Sequence, residues 1–167
     1  MTWNTRKRPS SEANVSDDGE SAHQSALRIL GGADQSESRL RAKLKRLGFS
    51  EASIGLAVDK LIEIGLVNDH RLATGIAESR AAHGYGKPFI AADLRKRGLN
   101  RTAIDQALAE LNDDVVTDGM ASRVKASKAN GGTQADLAKL QRQLQRRGHS
   151  GSAIRQALAD LPVTSDR

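Results

Sequence analysis

Few side chains in this sequence could work together in catalysis or hold a metal ion. The four histidines are scattered, and no two have the His-x3-His spacing that places two imidazoles on one face of a helix. Asp113 and Asp114 stand where a helix is expected to begin, a position at which the helix dipole favours acidic side chains. No serine lies in a nucleophile-elbow pattern. The sequence therefore predicts no catalytic centre, no metal and no cofactor.

The run Gly84-Tyr85-Gly86-Lys87-Pro88 combines glycines with a lysine, as phosphate-binding loops do. It lacks the preceding strand and the Gly-x4-Gly-Lys-Ser/Thr spacing that such a loop needs. It is instead predicted to be a hinge between two helical segments.

Lysine and arginine are concentrated in a regular pattern. Three segments, residues 39–48, 87–97 and 139–147, carry an excess of cations, whereas the helical segments that follow them are together slightly acidic. The residues predicted to contact a partner are Arg80 and eleven cations of these segments, namely Arg41, Lys43, Lys45, Arg46, Lys87, Arg95, Lys96, Arg97, Arg142, Arg146 and Arg147.

Two interpretations of this pattern stay open. If the three segments share one side of the molecule, they form a basic stripe that can follow a phosphate backbone or complement an acidic protein groove. Alternatively, cations late in a helix offset the negative end of its dipole and keep the protein soluble. The helices that follow are poor in cations, which argues against base reading in a DNA groove. Any contact with nucleic acid is therefore predicted to be with the backbone.

The basic segments belong to an internal repeat. Residues 40–61, 90–111 and 140–161 align without a gap at a spacing of 50 residues. In each window an apolar stripe of helical period ends at a glycine, and a Ser or Asn two residues later begins a second stripe. The glycines are Gly48, Gly98 and Gly148, and the predicted caps are Ser50, Asn100 and Ser150.

Another helical pattern precedes each window, so that each repeat is predicted to be three helices. The fold class is therefore all-α, an elongated and curved tandem array of three three-helix repeats with about nine helices. The predicted boundaries are a disordered N-terminal tail over residues 1–20, repeats over 21–66, 67–112 and 113–162, and a C-terminal tail over 163–167. The first helix, expected over residues 22–30, is the weakest.

Composition narrows the class of partner and compartment. The 167 residues carry a formal charge of +6, which favours an anionic partner. Only 2% of the residues are aromatic, which argues against serial stacking of bases. Without cysteine there is no disulfide or zinc knuckle, and no apolar run is long enough for a membrane span or a secretory signal. We expect a soluble, cytoplasmic protein that is a monomer and has no membrane partner.

One run of residues resembles a known family. Residues 65–73 read Gly-Leu-Val-Asn-Asp-His-Arg-Leu-Ala, and they are followed in fixed order by a basic helix within one repeat. This is similar to the central signature of the RecX family, regulators of the bacterial recombinase RecA, and the likeness spans about residues 21–162. The later matching positions are Arg80, Gly84, Lys87, Ile90, Leu94, Arg97, Gly98 and Leu99. His149 departs from the pattern, because an aromatic or aliphatic residue is expected there.

The resemblance implies an inhibitor of RecA without enzymatic activity. Such a protein binds in the groove of the RecA–DNA filament, contacts more than one subunit and the DNA, and suppresses ATP hydrolysis and strand exchange. It would thereby modulate recombination, DNA repair and the SOS response. Asn68 and Asp69 are expected to cap the fourth helix, and Arg80 is expected either to pair within its repeat or to face the filament.

Two other functions remain as alternatives. The chain could be a sequence-independent DNA-binding protein that acts without a recombinase, since a basic stripe alone suffices for that role. It could also be a scaffold whose repeats grip an unrelated acidic protein.

Overall fold

The computed structural model describes residues 11–129 and 134–159, and this part of the chain forms nine α-helices. The all-helical fold class and the three successive sets of three helices are confirmed. The helices are α1 (Ser11–Gly32), α2 (Glu37–Arg46), α3 (Glu51–Glu63), α4 (Asp69–Ala82), α5 (Lys87–Lys96), α6 (Arg101–Glu110), α7 (Asp113–Ala129), α8 (Gln134–Arg146) and α9 (Gly151–Ala159).

The turn predicted inside each window is present. Gly48, Gly98 and Gly148 all have positive φ, between 77° and 93°, which a residue without a Cβ adopts at little cost. In the first turn the Phe49 amide donates to the Leu44 carbonyl at 3.4 Å and the Gly48 amide to the Lys45 carbonyl at 3.0 Å, the pattern of a Schellman motif. Each window therefore ends its first helix through the same local chemistry.

The predicted caps of the second helices are also present. The side chain of Ser50 accepts from the Ser53 amide at 3.1 Å, and that of Asn100 accepts from the Ala103 amide at 2.8 Å. Ser150 accepts from the Ala153 amide at 3.2 Å. These bonds satisfy amides that would otherwise lack a partner at the start of α3, α6 and α9.

Helices α1 to α3 form one compact unit, which ends at Asn68. Its core joins α2 and α3 through Leu40, Leu44, Ile54, Val58 and Leu61, all fully buried. Against this core α1 packs a row of small buried residues, Gly19, Ala22 and Ala26, which let it approach α3 closely.

The first helix is longer than the predicted residues 22–30, because it begins at Ser11. Residues 11–20, which the composition assigned to a tail, are therefore helical. The small-residue row accounts for the difference around Gly19, since Gly and Ala bury against a neighbour without giving the strong apolar stripe that marks a helix in a sequence. The remainder of the predicted N-terminal tail, residues 1–10, lies outside the described residues, as does the C-terminal tail 163–167.

Helices α4 to α9 form the second compact unit, which begins at Asp69. It contains two cores, one under α4–α6 and one under α7–α9. Val115 and Val116 of α7 pack against the first of these cores, so the two sets of helices are joined by apolar contact. The boundary predicted between repeats at residues 112 and 113 thus lies inside one compact unit, and the full set of repeat boundaries stays a prediction.

The turn before α5 is a packed joint, whereas the sequence predicts a hinge there. The Gly86 amide donates to the Arg147 carbonyl at 2.8 Å, so the start of α5 meets the end of α8. A Cβ on Gly86 would lie 2.5 Å from the Gly148 carbonyl oxygen, and one on Gly84 would lie 2.7 Å from that of Gly119. Glycine is needed at these positions because backbone packs directly on backbone.

Candidate nucleic-acid interface

Two of the four predicted cations on α2 are engaged within the first unit. Arg41 donates to Glu37 at 2.8 Å and to Asp59 of α3 at 2.9 Å. Burial lowers the pKa of Arg41, but the hydrogen bonds to these two carboxylates outweigh it and the net pKa is raised. Lys45 pairs with Glu51, and this hydrogen bond raises the pKa of the lysine.

Lys43 and Arg46 differ from these neighbours. Neither forms an ion pair with another residue of the described chain, and Arg46 is exposed. Both positive charges are therefore uncompensated by a fixed carboxylate. Of the first basic segment, these are the two side chains best suited to meet an external anion.

The second basic segment surrounds one acidic residue. Asp93 accepts from Arg80 of α4 at 2.9 Å and lies 3.3 Å from the Arg97 guanidinium. Burial raises the pKa of Asp93, but the hydrogen bonds from Arg97 and Arg80 outweigh it, and the net pKa lies below its usual range. Arg80 thus pairs within its own repeat, which was one of its two expected roles.

The other cations of α5 are placed around its two ends. Lys87 pairs with Asp113 at 2.7 Å at the start of the helix. Lys96 is exposed at the C-terminal end and also interacts within the chain. Arg95 is exposed and makes no ion pair with the described residues, so its charge is available.

The third basic segment lies on α8. Arg142 donates only to the Ala138 carbonyl of its own helix, at 3.3 Å, and Arg146 is exposed without an ion pair among the described residues. Arg147 instead turns inward. It donates to the His83 carbonyl at 2.8 Å, and its guanidinium lies 4.2 Å from the centre of the Tyr85 ring, a cation–π contact.

Arg147 and His149 together form the joint between the third and second repeats. The His149 ring nitrogen Nε2 lies 3.0 Å from the Gly84 carbonyl oxygen, so it carries the hydrogen and donates. Tyr85 also stacks on Phe89, with ring centroids 4.4 Å apart. His149 is thus a polar contact of the joint, which accounts for its departure from an aromatic or aliphatic type. Within the second unit the two basic helices α5 and α8 meet end to end.

Of the twelve predicted cations, seven interact with other residues of the chain, and five form no ion pair among the described residues, namely Lys43, Arg46, Arg95, Arg142 and Arg146. Arg41, Arg80, Arg97 and Arg147 are held by contacts within the chain, with side chains about one-third exposed for the first three. Exposed pairs such as Lys45–Glu51 are weak enough in water that an external phosphate can compete for the cation. The alignment of all three basic segments on one side stays a prediction.

Two cations outside the twelve predicted contacts lie together in the structure. Arg123 of α7 and Lys139 of α8 line a cavity of about 370 Å³ between these helices. Its remaining lining is Ala126, Ser127, Asp136, Leu140 and Gln143. Helical spacing gave a signal, because residues 123, 126 and 127 share one face of α7 and residues 136, 139, 140 and 143 share one face of α8.

No group of three His, Asp or Glu side chains among the described residues has the arrangement of a metal site. Within the same part of the chain, no helix combines the length and apolar character needed to cross a membrane.

Comparison with known proteins identifies relatives of the whole arrangement. Residues 22–61 match the sequence model described as "RecX, first three-helix domain", and residues 68–108 match "RecX, second three-helix domain". The chain is 32% identical to the regulatory protein RecX of Mycobacterium sp. (strain JLS), over 86% of this chain and 81% of the relative. It is also 32% identical to regulatory protein RecX of Halorhodospira halophila, over 89% of this chain and 92% of that protein.

Solved structures agree on the fold. The crystal structure of RecX from Lactobacillus salivarius matches with a TM-score of 0.73 at 21% identity, over 87% of this chain and 97% of that one. At this level of identity the likeness supports the helical architecture, and the closer sequence relatives support the family.

Proposed function

Because this chain belongs to the RecX family of regulatory proteins, we propose that it binds the filament that RecA forms on DNA and inhibits the recombinase. It lies in the filament groove, slows ATP hydrolysis by RecA and so modulates recombination and DNA repair. It has no catalytic activity of its own, acts in the cytoplasm and is a monomer. Family membership is the observation that carries this proposal.

The unpaired cations support a contact with DNA. Lys43, Arg46, Arg95 and Arg146 are cationic and form no ion pair among the described residues, so binding to a phosphate breaks no existing pair. They occur in all three repeats. Backbone contacts of this kind position a protein on DNA without reading its sequence.

Exposed apolar side chains support a contact with protein as well. In the described part of the chain the large apolar residues that stay exposed all belong to the first unit. Leu47, Leu56 and Ile64 are the most prominent, with exposures of 61%, 59% and 59%. Apolar surface of this type is more useful at a protein interface than against a phosphate backbone. A filament of protein on DNA offers both kinds of partner surface.

The first test measures ATP hydrolysis by RecA on single-stranded DNA with increasing amounts of the purified protein. We expect slower hydrolysis already at substoichiometric ratios, since one molecule that spans adjacent subunits affects more than one of them. Undiminished hydrolysis at an equimolar ratio would refute the proposal.

A second test separates this function from DNA binding without a recombinase. Affinity for bare DNA falls steeply with salt, because binding releases counterions. A filament binder that also contacts protein should retain affinity for a preformed RecA filament at a salt concentration that abolishes binding to bare DNA. Equal salt dependence for both targets would favour the DNA-binding alternative.

A third test addresses the residues. Arg95→Gln removes an exposed, unpaired cation and should weaken both DNA binding and inhibition. Arg101→Gln is the matched control, because Arg101 is 94% exposed at the start of the next helix and pairs with Asp105. These variants avoid Arg97, whose loss would also disturb Asp93. Equal inhibition by both variants would exclude Arg95 from the interface.

A further inference from the structure

The cavity between α7 and α8 has the lining of an anion site. Arg123, Lys139, Ser127 and Gln143 provide hydrogen-bond donors from both helices, and Leu140 and Ala126 are the apolar residues of the lining. Its volume of about 370 Å³ is many times the roughly 30 Å³ that one water takes up in the liquid. A phosphate group and part of the attached sugar fit in this space.

The lining of the cavity carries a net positive charge. It carries two cations and one carboxylate, Asp136, and neither Arg123 nor Lys139 forms an ion pair with the described residues. Arg147 lies four residues beyond Gln143, directly after the end of α8, and its own contacts are with a neutral carbonyl and a neutral ring. Burial and the nearby positive charge of Arg123 both lower the pKa of Arg147. An anion bound beside Arg123 would offset this repulsion between Arg123 and Arg147.

Three residues, Lys139, Gln143 and Arg147, form a row that extends from the cavity. Lys139 and Gln143 on α8 and Arg147 directly after its end follow one another at intervals of four, which places them in a row on one side with a rise of about 6 Å between neighbours. The row begins in the cavity and ends at the joint with the second repeat. It therefore leads toward Lys87 and the start of the other basic helix in this unit.

We propose that the α7–α8 cavity binds a phosphate of a nucleic-acid backbone, held by Arg123 and Lys139 with Gln143 and Ser127 as neutral donors. This inference rests on the proposed contact with DNA and assigns part of that contact to the third repeat. Backbone phosphate is favoured over an acidic protein side chain because the lining offers charged and neutral donors together, which is the usual composition of phosphate contacts.

The experiment measures binding of the full chain to a fluorescently labelled single-stranded oligothymidine, by anisotropy, over a range of salt concentrations and without RecA. The test variants are Arg123→Gln, Lys139→Gln and the double variant. Lys125→Gln is the matched control, since Lys125 is an exposed cation on the same helix that does not line the cavity. Thermal unfolding followed by circular dichroism checks that each variant is folded.

We expect each test variant to bind roughly tenfold or more weakly at low salt, as for loss of a charged hydrogen bond. The slope of log affinity against log salt should become shallower by about 0.7 for one lost phosphate contact on a single strand. Lys125→Gln should keep the slope of the original protein. A folded double variant with an unchanged slope, or an original protein that binds no oligothymidine, would overturn the inference.

Failure of this inference is distinguishable from failure of the proposed function. If the double variant keeps the original salt slope and the original protein still slows ATP hydrolysis by RecA, the cavity is wrong and the regulatory role stands. If the slope becomes shallower in the double variant but the original protein leaves RecA unaffected, the phosphate site stands and the regulatory role fails. The same anisotropy assay is repeated with added inorganic phosphate at constant ionic strength. Displacement of the oligothymidine would show that the cavity also binds free phosphate.

Discussion

At the scale of single residues, Asp93 organises the second basic segment. Two guanidinium groups from different helices share its carboxylate, whose side chain is only 17% exposed. Hydrogen bonds between charged groups in such a setting are stronger than those at an open surface. Asp93 therefore keeps Arg80 and Arg97 in fixed positions and leaves the exposed Arg95 beside them as an available cation.

We predict that Asp93→Asn lowers the free energy of unfolding by about 1–2 kcal/mol at neutral pH, because the amide loses the charge that both arginines share. Urea denaturation measures the change. The variant should also alter DNA binding, since two arginines are released from their partner. Unchanged stability would mean that the pair contributes nothing net.

Asp93 should also make the free energy of unfolding depend on pH. The folded protein holds the pKa of Asp93 below the ordinary value of about 3.9, so its contribution to stability is present above that value. The contribution is lost as the pH falls through the lowered pKa of the folded state. The stability difference between the original protein and Asp93→Asn should therefore be constant near neutral pH and shrink in acid below about pH 4. A difference that grows in acid would contradict this linkage.

At the scale of helices, replacing a glycine by alanine should stabilise or destabilise the protein according to the space around that glycine. A Cβ on Gly55 or Gly75 meets nothing within 4 Å, and both lie inside helices without positive φ. Gly119 of α7 lies against the Ala81 carbonyl of α4, which a Cβ would overlap.

We predict that Gly75→Ala raises the free energy of unfolding by up to about 1 kcal/mol, because alanine is the better helix former. Gly119→Ala should lower it by about 1–3 kcal/mol, because backbone must move to admit the methyl group. Thermal and urea unfolding of both variants test the pair. Destabilisation by Gly75→Ala would show a close contact at that position that the structure does not contain.

Features encoded by neighbouring residues were predictable from the sequence, and features that join distant residues were not. The turns at Gly48, Gly98 and Gly148 and the caps at Ser50 and Asn100 depend on residues a few positions apart, so the repeated pattern predicted them correctly. The part of α1 around Gly19 was missed because the buried row of this helix consists of glycine and alanine.

In the candidate site, too, contacts between residues distant in the sequence were not predicted. Charge counting selected Arg95 and Arg146, and both are exposed in the structure. It did not anticipate the inward contacts of Arg147, whose partner carbonyl on His83 is 64 positions earlier in the sequence. The cavity between α7 and α8 was missed because Arg123 lies outside the three basic segments, and its proximity to Lys139 depends on two helices placed face to face.

At the scale of the whole chain, the second and third repeats form a single compact unit, and the first repeat forms another. Tyr85 lies at the joint inside the larger unit, with its ring stacked on Phe89 and beneath Arg147. The joint therefore couples the stability of α7–α9 to that of α4–α6.

We predict that Tyr85→Ala lowers the free energy of unfolding by about 2 kcal/mol, from the lost aromatic stacking and cation–π contact. Hydrogen exchange should become faster in α7–α9 as well as in α4–α6. Tyr85→Phe keeps the ring and should resemble the original protein, which makes it the matched control. Unchanged exchange in α7–α9 of Tyr85→Ala would show that the third repeat is stable without this contact.

The bond from the Gly86 amide to the Arg147 carbonyl has a consequence for engineering longer proteins of this kind. The turn at residues 84–89 and the residues directly after α8 pack backbone against backbone. A designer who appends another copy of the third repeat would need a glycine at the position equivalent to Gly86 in the preceding repeat. Any other residue there would place a Cβ against the backbone that follows the added α8 helix.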